Sequence, residues 1–379
     1  RDTDRSRGLG DVYKRQFLAN TNPAVENLRR KVTAEHAEFV TITKFLSKDV
    51  SNDCDILCLD ECSTISNRDM VRVLQRAQCK LLVLVGDIYQ IESILFGNWF
   101  NIAYKVMPKD SVAELTRPHR TTVQGLIEVW NKVREITEDR LEFITRNGLS
   151  STLDESIFSR TEEDEIVLCL NYDGIYGINN INKFLQSNNV NPSINWGVLS
   201  YKVGDPVLFN ESNRFAPLVY NNLKGKILQI EEEEDCIYFT IEVYTVLNEL
   251  DVIGFDLELK ESVTDETSVI RFKVGRGGDG NDDNDNVENV VPFQVAYAIS
   301  IHKAQGLEYE SVKVVITSEI EEMVSHNIFY TAITRAKSKL KIYWSPETEK
   351  RILENMKVQF NDKDYQLFKA KYKEALLKS

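Results

Sequence analysis

The sequence predicts an α/β protein with two parallel-sheet domains, the second interrupted by a small β-barrel. Three observations carry this reading. The stretch LCLDECS (57–63) runs from an apolar strand into two adjacent carboxylates, and LLVLVGD (81–87) repeats the pattern one helix later. A parallel strand buried on both faces reads as a continuous apolar run, and open α/β sheets bind ligands just beyond the carboxyl ends of such strands. The alternation then restarts at DEIVLCLNYDGIYGINNINKFL, so a second α/β domain begins there. Finally, YKVGDPVLF, LKGKILQI, CIYFTIEV, VIGFDLELK and SVIRFKV follow one another at short intervals, alternating and helix-poor, as the strands of a small barrel do. A chain of 379 residues exceeds the size at which one core keeps growing, which fits two or three domains.

Taken in order, the first sixteen residues, RDTDRSRGLGDVYKRQ, have no apolar periodicity. They resemble translated sequencing-adaptor sequence, or else a disordered basic leader, and the native chain is expected to begin near Phe17. FLANTNPAVENLRRKV reads as a strand end, a loop and a helix with Asn22 as N-cap and Pro23 in the first turn. Thr21 and Asn22 could offer polar groups to a phosphate there, or form a plain βα turn. FVTITKFLS alternates apolar with polar residues as a strand does; CDILCLDECS then reads as a strand, residues 68–77 as a helix and 81–87 as a buried strand, and these last three make a βαβ unit with a right-handed crossover. VAEL is a short strand before Arg117, His119 and Arg120, and an amphipathic helix follows. Past the barrel, GRGGDGNDDNDN (275–286) is a Gly/Asp/Asn loop without the ligand spacing of a calcium loop. VPFQVAYAISIHKAQGLEYESVKVVIT then gives strand, loop, strand; HNIFYTAITRAKSKLKIYW gives a helix bearing Arg335 and a closing strand; and 346–379 is a Lys/Glu-rich helical tail.

Charge is distributed unevenly. The net charge is −13, but residues 231–290 hold 18 Asp/Glu against 4 Lys/Arg, so the remainder is nearly neutral and nucleic-acid binding is not excluded. Six cysteines without a CxxC pair, and four histidines far from any cysteine pair, argue against structural zinc and a disulfide framework. No apolar run is long enough for a membrane helix and no secretory h-region is seen, so the cytoplasm is the expected compartment.

Asp60 and Glu61 are the centre of the functional reading. Two neighbouring ionised carboxylates repel unless something positive is shared, so one would hold a divalent cation and the other activate a water. A helix N-cap with an acidic first turn explains the pair equally well in isolation.

The ordered series LANTNPA, FVTITKFL, LCLDECS, VGDIYQIES, ELTRPHRT, SIHKAQGLEYESV and YTAITRAK resembles the motifs of superfamily 1 DNA helicases, most closely the RecD-like branch, from Phe17 to Trp344. The resemblance implies two RecA-like domains of the P-loop NTPase type, the second with an inserted SH3-like barrel. The implied boundaries are 17–110 for the first domain, 111–209 and 291–345 for the second, 210–290 for the barrel with its acidic loop, and 346–379 for the tail. It implies ATP and Mg²⁺ as cofactors, with Asp60 holding the metal and Glu61 orienting or deprotonating the attacking water. Gln90 would sense the γ-phosphate, and Arg120 and Arg335 would act as arginine fingers. Gly306 would allow close backbone approach and Glu308 would bond the ribose. Thr21, Asn22, Thr41, Thr43, His302 and Lys303 would contact single-stranded DNA, while Trp99 and Phe100 would either stack a base or pack in the core. Lys224-Gly225-Lys226 would touch the strand or simply turn a hairpin. DNA rather than RNA, and 5′→3′ movement, rest on the resemblance alone. ATP would sit between the two domains, and their closure would step the protein along a strand lying in a channel across both.

One departure stands out. No G-x-x-x-x-G-K-[ST] occurs in the chain, although that loop should directly precede LANTN. The expectation is therefore a record of a longer ATP-hydrolysing helicase that lacks the phosphate loop. The alternative is a non-catalytic nucleic-acid-binding pseudo-helicase or regulatory subunit. An unidentified protein partner at the acidic insertion is a further expectation.

Overall fold

Two units divide the chain: residues 1–116 with 358–379, and residues 117–357. The computed structural model describes residues 13–47, 51–91, 97–115, 120–210, 214–216, 218–262, 264–276, 289–357 and 362–378.

In the first unit, β1 (Arg15–Ala19), β2 (Ala37–Thr41), β3 (Asp53–Leu59) and β4 (Gln78–Leu84) form a wholly parallel sheet in the order β2-β1-β3-β4. Connecting these strands are α1 (Asn22–Lys31), α2 (Ile42–Leu46) and α3 (Asn67–Arg76), with α4 (Trp99–Val106) after β4. Leu18, Val40, Phe45, Leu57, Leu59 and Val73 make the core beneath the sheet.

Several local features differ from the sequence reading. Arg15 and Gln16 belong to β1, paired with Ala37 and Glu38, so this strand takes in two residues before Phe17. Gln16 is buried and donates to Glu38 and to the Ser51 carbonyl, both at 2.7 Å. Thr21, not Asn22, caps α1, its hydroxyl accepting from Ala24 N–H at 3.4 Å. The strand expected over FVTITKFLS stops at Thr41, whose hydroxyl accepts from Lys44 N–H at 3.2 Å, and α2 then buries Ile42 and Phe45 three residues apart. Strand β4, expected to be buried, has only β3 beside it among the described residues, and Leu81 is 52% exposed. The C-terminal helix (Asp362–Lys378) belongs to this first unit, where Asp364 accepts from Asn98 at 2.5 Å and Lys105 stands 5.5 Å from the Tyr365 ring.

The second unit opens with α5 (Gln124–Glu135) and α6 (Arg140–Arg146). Residues 112–115 are not a strand, and Arg117 and His119 lie outside the described residues. A second all-parallel sheet follows: β5 (Ser150–Ser151), β6 (Glu165–Cys169), then α7 (Ile178–Ser187) and the hairpin β7 (Ser193–Trp196) and β8 (Leu199–Lys202). After a long insertion the chain returns to this sheet. The insertion is an antiparallel sheet of β9 (Pro206–Phe209), β10 (Lys224–Glu232), β11 (Cys236–Val243), β12 (Glu258–Lys260), β13 (Ser268–Gly275) and β14 (Phe293–Val295), ordered β12-β13-β11-β10-β9-β14. It extends a few residues beyond 210–290 at either end. The acidic-loop residues 277–286 lie outside the described residues.

The insertion has a core of its own. Phe239 and Phe293 meet edge to face at 4.9 Å, and Phe209, Phe215, Phe272 and Tyr201 complete the cluster. The parallel sheet resumes with β15 (Ala298–Ser300), β16 (Tyr309–Val315), α8 (His326–Ile333) and β17 (Ala336–Tyr343), in the order β15-β6-β16-β17-β5. Then α9 (Pro346–Asn355) starts on a Ser345 cap.

Candidate nucleotide site

In the first unit the sheet delivers its polar groups to one edge by tying three strand ends together. Asp60 N–H donates to the Leu18 carbonyl at 2.8 Å, joining the end of β3 to β1, and Cys62 N–H donates to the Val85 carbonyl at 2.9 Å, joining it to the end of β4. Between these ties Asp60 Oδ1 accepts the Glu61 N–H at 2.9 Å. Glu61 itself sits in the left-handed region, φ 51°, ψ 41°, where a residue with a Cβ is strained. Gly86 closes the edge. A Cβ there would lie 2.8 Å from Phe100 Cε1 and 3.1 Å from Cys62 N, so only glycine lets the end of β4 come this near.

Burial pushes the Asp60 carboxyl above the ordinary aspartate range, opposed by the Glu61 amide and by the more distant positive charge of Lys31. The ionised Asp60 side chain is a half-buried oxygen donor, the type of ligand a hard cation takes. Mg²⁺ usually keeps several waters and takes only one or two protein carboxylates beside substrate phosphates, so Asp60 alone fits that role.

The sign of the Asp60 shift gives a test. A carboxyl raised in the folded state makes the native protein bind the extra proton, so stability falls as pH rises from the ordinary aspartate value through the raised one. Asp60→Asn is expected to remove this fall. Urea midpoints taken from about pH 4 to about pH 8 should show the variant gaining on the parent toward neutrality, and Mg²⁺ should narrow the gap by stabilising the parent alone. A constant difference across that range overturns the assignment.

Next to the pair, Asp87 accepts from Tyr89 N–H at 2.9 Å and from Gln90 Nε2 at 3.4 Å, which places Gln90 at the same edge as Asp60 and Glu61. Thr21 and Thr41 both spend their hydroxyls on helix caps, Asn22 is the first residue of α1, and Thr43 is exposed on α2. Trp99 is partly buried and packs against the core: its indole N–H donates to the Ile65 carbonyl at 2.8 Å, and its ring meets Phe100 edge-on at 5.5 Å. Sequence reading missed Asn20, which donates to the Thr64 carbonyl at 3.0 Å and fixes the loop after Glu61 from β1. Its place directly after the strand was the available signal.

The second unit gathers the remaining residues around its own sheet edge. Arg120 Nε lies 3.0 Å from Glu308 Oε1, and its Nη1 donates to the Thr334 carbonyl at 2.5 Å. Gly306, at φ 76°, takes the turn that brings Glu308 to this position. Arg335 is 2% exposed, and its guanidinium donates to the carbonyls of Thr331 at 3.0 Å and Leu307 at 3.3 Å and to the Thr334 hydroxyl. The two arginines read as fingers are therefore both engaged with groups of their own unit. His302 is exposed, while Lys303 donates to Gln294 at 3.0 Å and burial pulls its ammonium below the usual lysine range. Lys224 and Lys226 do not form a hairpin turn. They begin β10 and face acidic groups, Lys224 pairing with Asp164 at 2.7 Å and Lys226 with Glu163.

Residues 295–343 match the model of the UvrD-like helicase C-terminal domain, and residues 5–154 match an AAA domain. The chain is 22% identical over 336 residues to the RecBCD enzyme subunit RecD of Mycolicibacterium smegmatis, covering 80% of this chain and 52% of that one. An uncharacterized protein of Methanocaldococcus jannaschii is 24% identical over 354 residues, 78% of this chain and 29% of its own length. The chain thus spans about half or less of these curated relatives. Among solved structures, a Pif1 helicase described in DNA unwinding at forked duplexes superposes with a TM-score of 0.53 at 15% identity, covering 96% of this chain and 88% of that one. The Pif1 helicase of Candida albicans gives 0.50 at 16%, covering 90% and 88%. These likenesses show the fold, two RecA-like domains. The domain matches and the RecD relatives are similar to this chain over its two sheet-bearing units, in keeping with the resemblance that its ordered motifs carry.

Proposed function

We propose that the chain carries motor domains of an ATP-dependent DNA helicase or translocase. The observation that carries this is the edge of the first sheet, where main-chain ties from β3 to the ends of β1 and β4 fix a half-buried carboxylate and a strained glutamate, and Gln90 is hydrogen-bonded to Asp87 in the loop that follows β4. Asp60 would hold Mg²⁺, which supplies charge neutralisation of the phosphates when bound. Glu61 would accept the proton of the attacking water, and Gln90 would report on the γ-phosphate. In the second unit Arg120 and Arg335 would exchange their present partners for a developing phosphoryl charge, and Glu308, released by Arg120, would bond the ribose. His302 and Lys303, with Thr43 and Asn22, would contact a single DNA strand. The inserted sheet, with its compact aromatic core, is of the small SH3-like kind.

A second reading has one observation in its favour: the 379 residues contain no phosphate-loop motif. On that reading the chain by itself binds nucleic acid without turnover. One comparison separates the two. ATP hydrolysis with and without single-stranded DNA is measured for these 379 residues and for the product of the whole gene. DNA-stimulated hydrolysis by the gene product, with little or none by the 379 residues, supports the motor; none by either supports the binding protein.

A further inference from the structure

The peptide that carries Glu308 is gripped from outside its own sheet. Strand β16 pairs with β17 from Tyr309 and with β6 from Ser311, so Glu308 lies ahead of both ladders. Its carbonyl accepts from Lys224 Nζ at 3.1 Å. Tyr309 N–H donates to the Arg335 carbonyl at 3.0 Å, and Glu310 N–H to Asp164 Oδ2 at 3.2 Å. The other oxygen of Asp164 holds Lys224 Nζ at 2.7 Å. One ion pair therefore grips the segment at two points, the ammonium on the carbonyl of 308 and the carboxylate on the amide of 310.

Lys224 belongs to the inserted sheet, and its base is rigid. At the next residue, Gly225, a Cβ would lie 2.9 Å from both the Glu242 carbonyl oxygen and Ile241 Cγ2, so β10 starts in close contact with its neighbours. The ammonium lies 4.1 Å from the centre of the Tyr309 ring and 5.1 Å from that of Tyr244, a desolvated cation–π environment. Burial draws the ammonium below the usual lysine range, and among the neighbours Asp164 opposes this most strongly. A salt bridge serving only stability would not need to contact the backbone on both sides of Tyr309.

We propose that Lys224 is a positioning residue: with Asp164 it makes the inserted sheet set the conformation of the 308–310 segment and hence the direction of the Glu308 carboxylate. The nucleotide role of Glu308 rests on the function proposed above; the clamp itself does not. The test is hydrogen exchange of the 379-residue chain, comparing the parent with Lys224→Met, Lys224→Arg and Asp164→Ala. Lys224→Met and Asp164→Ala are each expected to speed exchange at residues 309–310 about tenfold or more, with β11 and β13 unchanged, and Lys224→Arg to restore most of the protection. If Lys224→Met disrupts the inserted sheet, Asp164→Ala alone decides, because it removes the second grip while leaving the lysine in β10. Unchanged exchange at 309–310, or loosening spread equally through the inserted sheet, overturns the proposal. In the whole gene product, Lys224→Met should raise the KM for ATP about tenfold with kcat nearly constant. A loosened segment with an unchanged KM supports the clamp and overturns the nucleotide role of Glu308.

Discussion

Glu61→Gln is expected to lower DNA-stimulated ATP turnover of the whole gene product by about 10²- to 10⁴-fold, the range for loss of a general base. Glutamine keeps the size and the backbone of the residue and loses only the proton acceptor, so ATP affinity should change little. The companion variant Glu61→Gly separates chemistry from architecture. At φ 51° the native residue bears a left-handed cost of about 1–2 kcal/mol, which glycine relieves at some entropic expense of its own. The turn must be made, because the Glu61 carbonyl accepts Thr64 N–H at 2.9 Å while Cys62 N–H reaches across to Val85. If the residue here were purely structural, glycine would therefore do at least as well. Glu61→Gly should match or exceed the parent in urea midpoint and still lack turnover. A glycine variant that hydrolyses ATP at the parent rate removes Glu61 from the chemistry.

Lys313→Met should unfold the second unit most readily of the conservative substitutions. Lys313 and Glu165 are each 5% exposed, and Nζ lies 3.0 Å from Oε1. The lysine also donates to the carbonyls of Ser156, at 2.9 Å, and Ser159; Glu165 accepts the hydroxyls of Thr161 and Ser311, both at 2.9 Å. Methionine fills the volume and leaves a charged carboxylate and two carbonyls without their cation. Breaking a buried pair by one partner costs about 3–5 kcal/mol. For a unit of this size that corresponds to roughly 10 °C in Tm. Adding Glu165→Leu should recover most of the loss, since an apolar pair avoids both desolvation penalties. Chemical denaturation followed by the fluorescence of Trp344, buried in the same unit, reads the effect. A loss below about 1 kcal/mol for the single variant would show the pair to be solvated.

Both parallel sheets were legible because their strands carry uninterrupted apolar runs, and the position of Asp60 and Glu61 followed from where one such run stops. Other features depend on partners that a linear pattern does not name. LLVLVGD has the composition of a central strand, yet its exposure depends on whether a neighbour lies beyond it. TITKFL alternates as a strand would, until the Thr41 cap and the spacing of Ile42 and Phe45 make a helical turn cheaper. Lys224 looked like part of a turn because its acidic partner stands 60 residues earlier in the chain. The ring of Trp99 and the guanidinium of Arg335 were legible as residue types. Their partners were not, since the carbonyls of Ile65, Thr331 and Leu307 accept their hydrogen bonds only after folding.

The outer side of β4 bears on how the protein can be handled. Among the described residues β4 has β3 as its one neighbour, so its other side offers a row of main-chain donors and acceptors, and Leu81 and Val85 are exposed along the same run. No proline interrupts 78–87, and the charged residues Lys80 and Asp87 stand near its two ends. Such an edge is adhesive. At the concentrations used for crystallisation or spectroscopy, copies of the 379-residue chain would add strand to strand there, and one lysine placed at Leu81 would be the simplest means of keeping them apart.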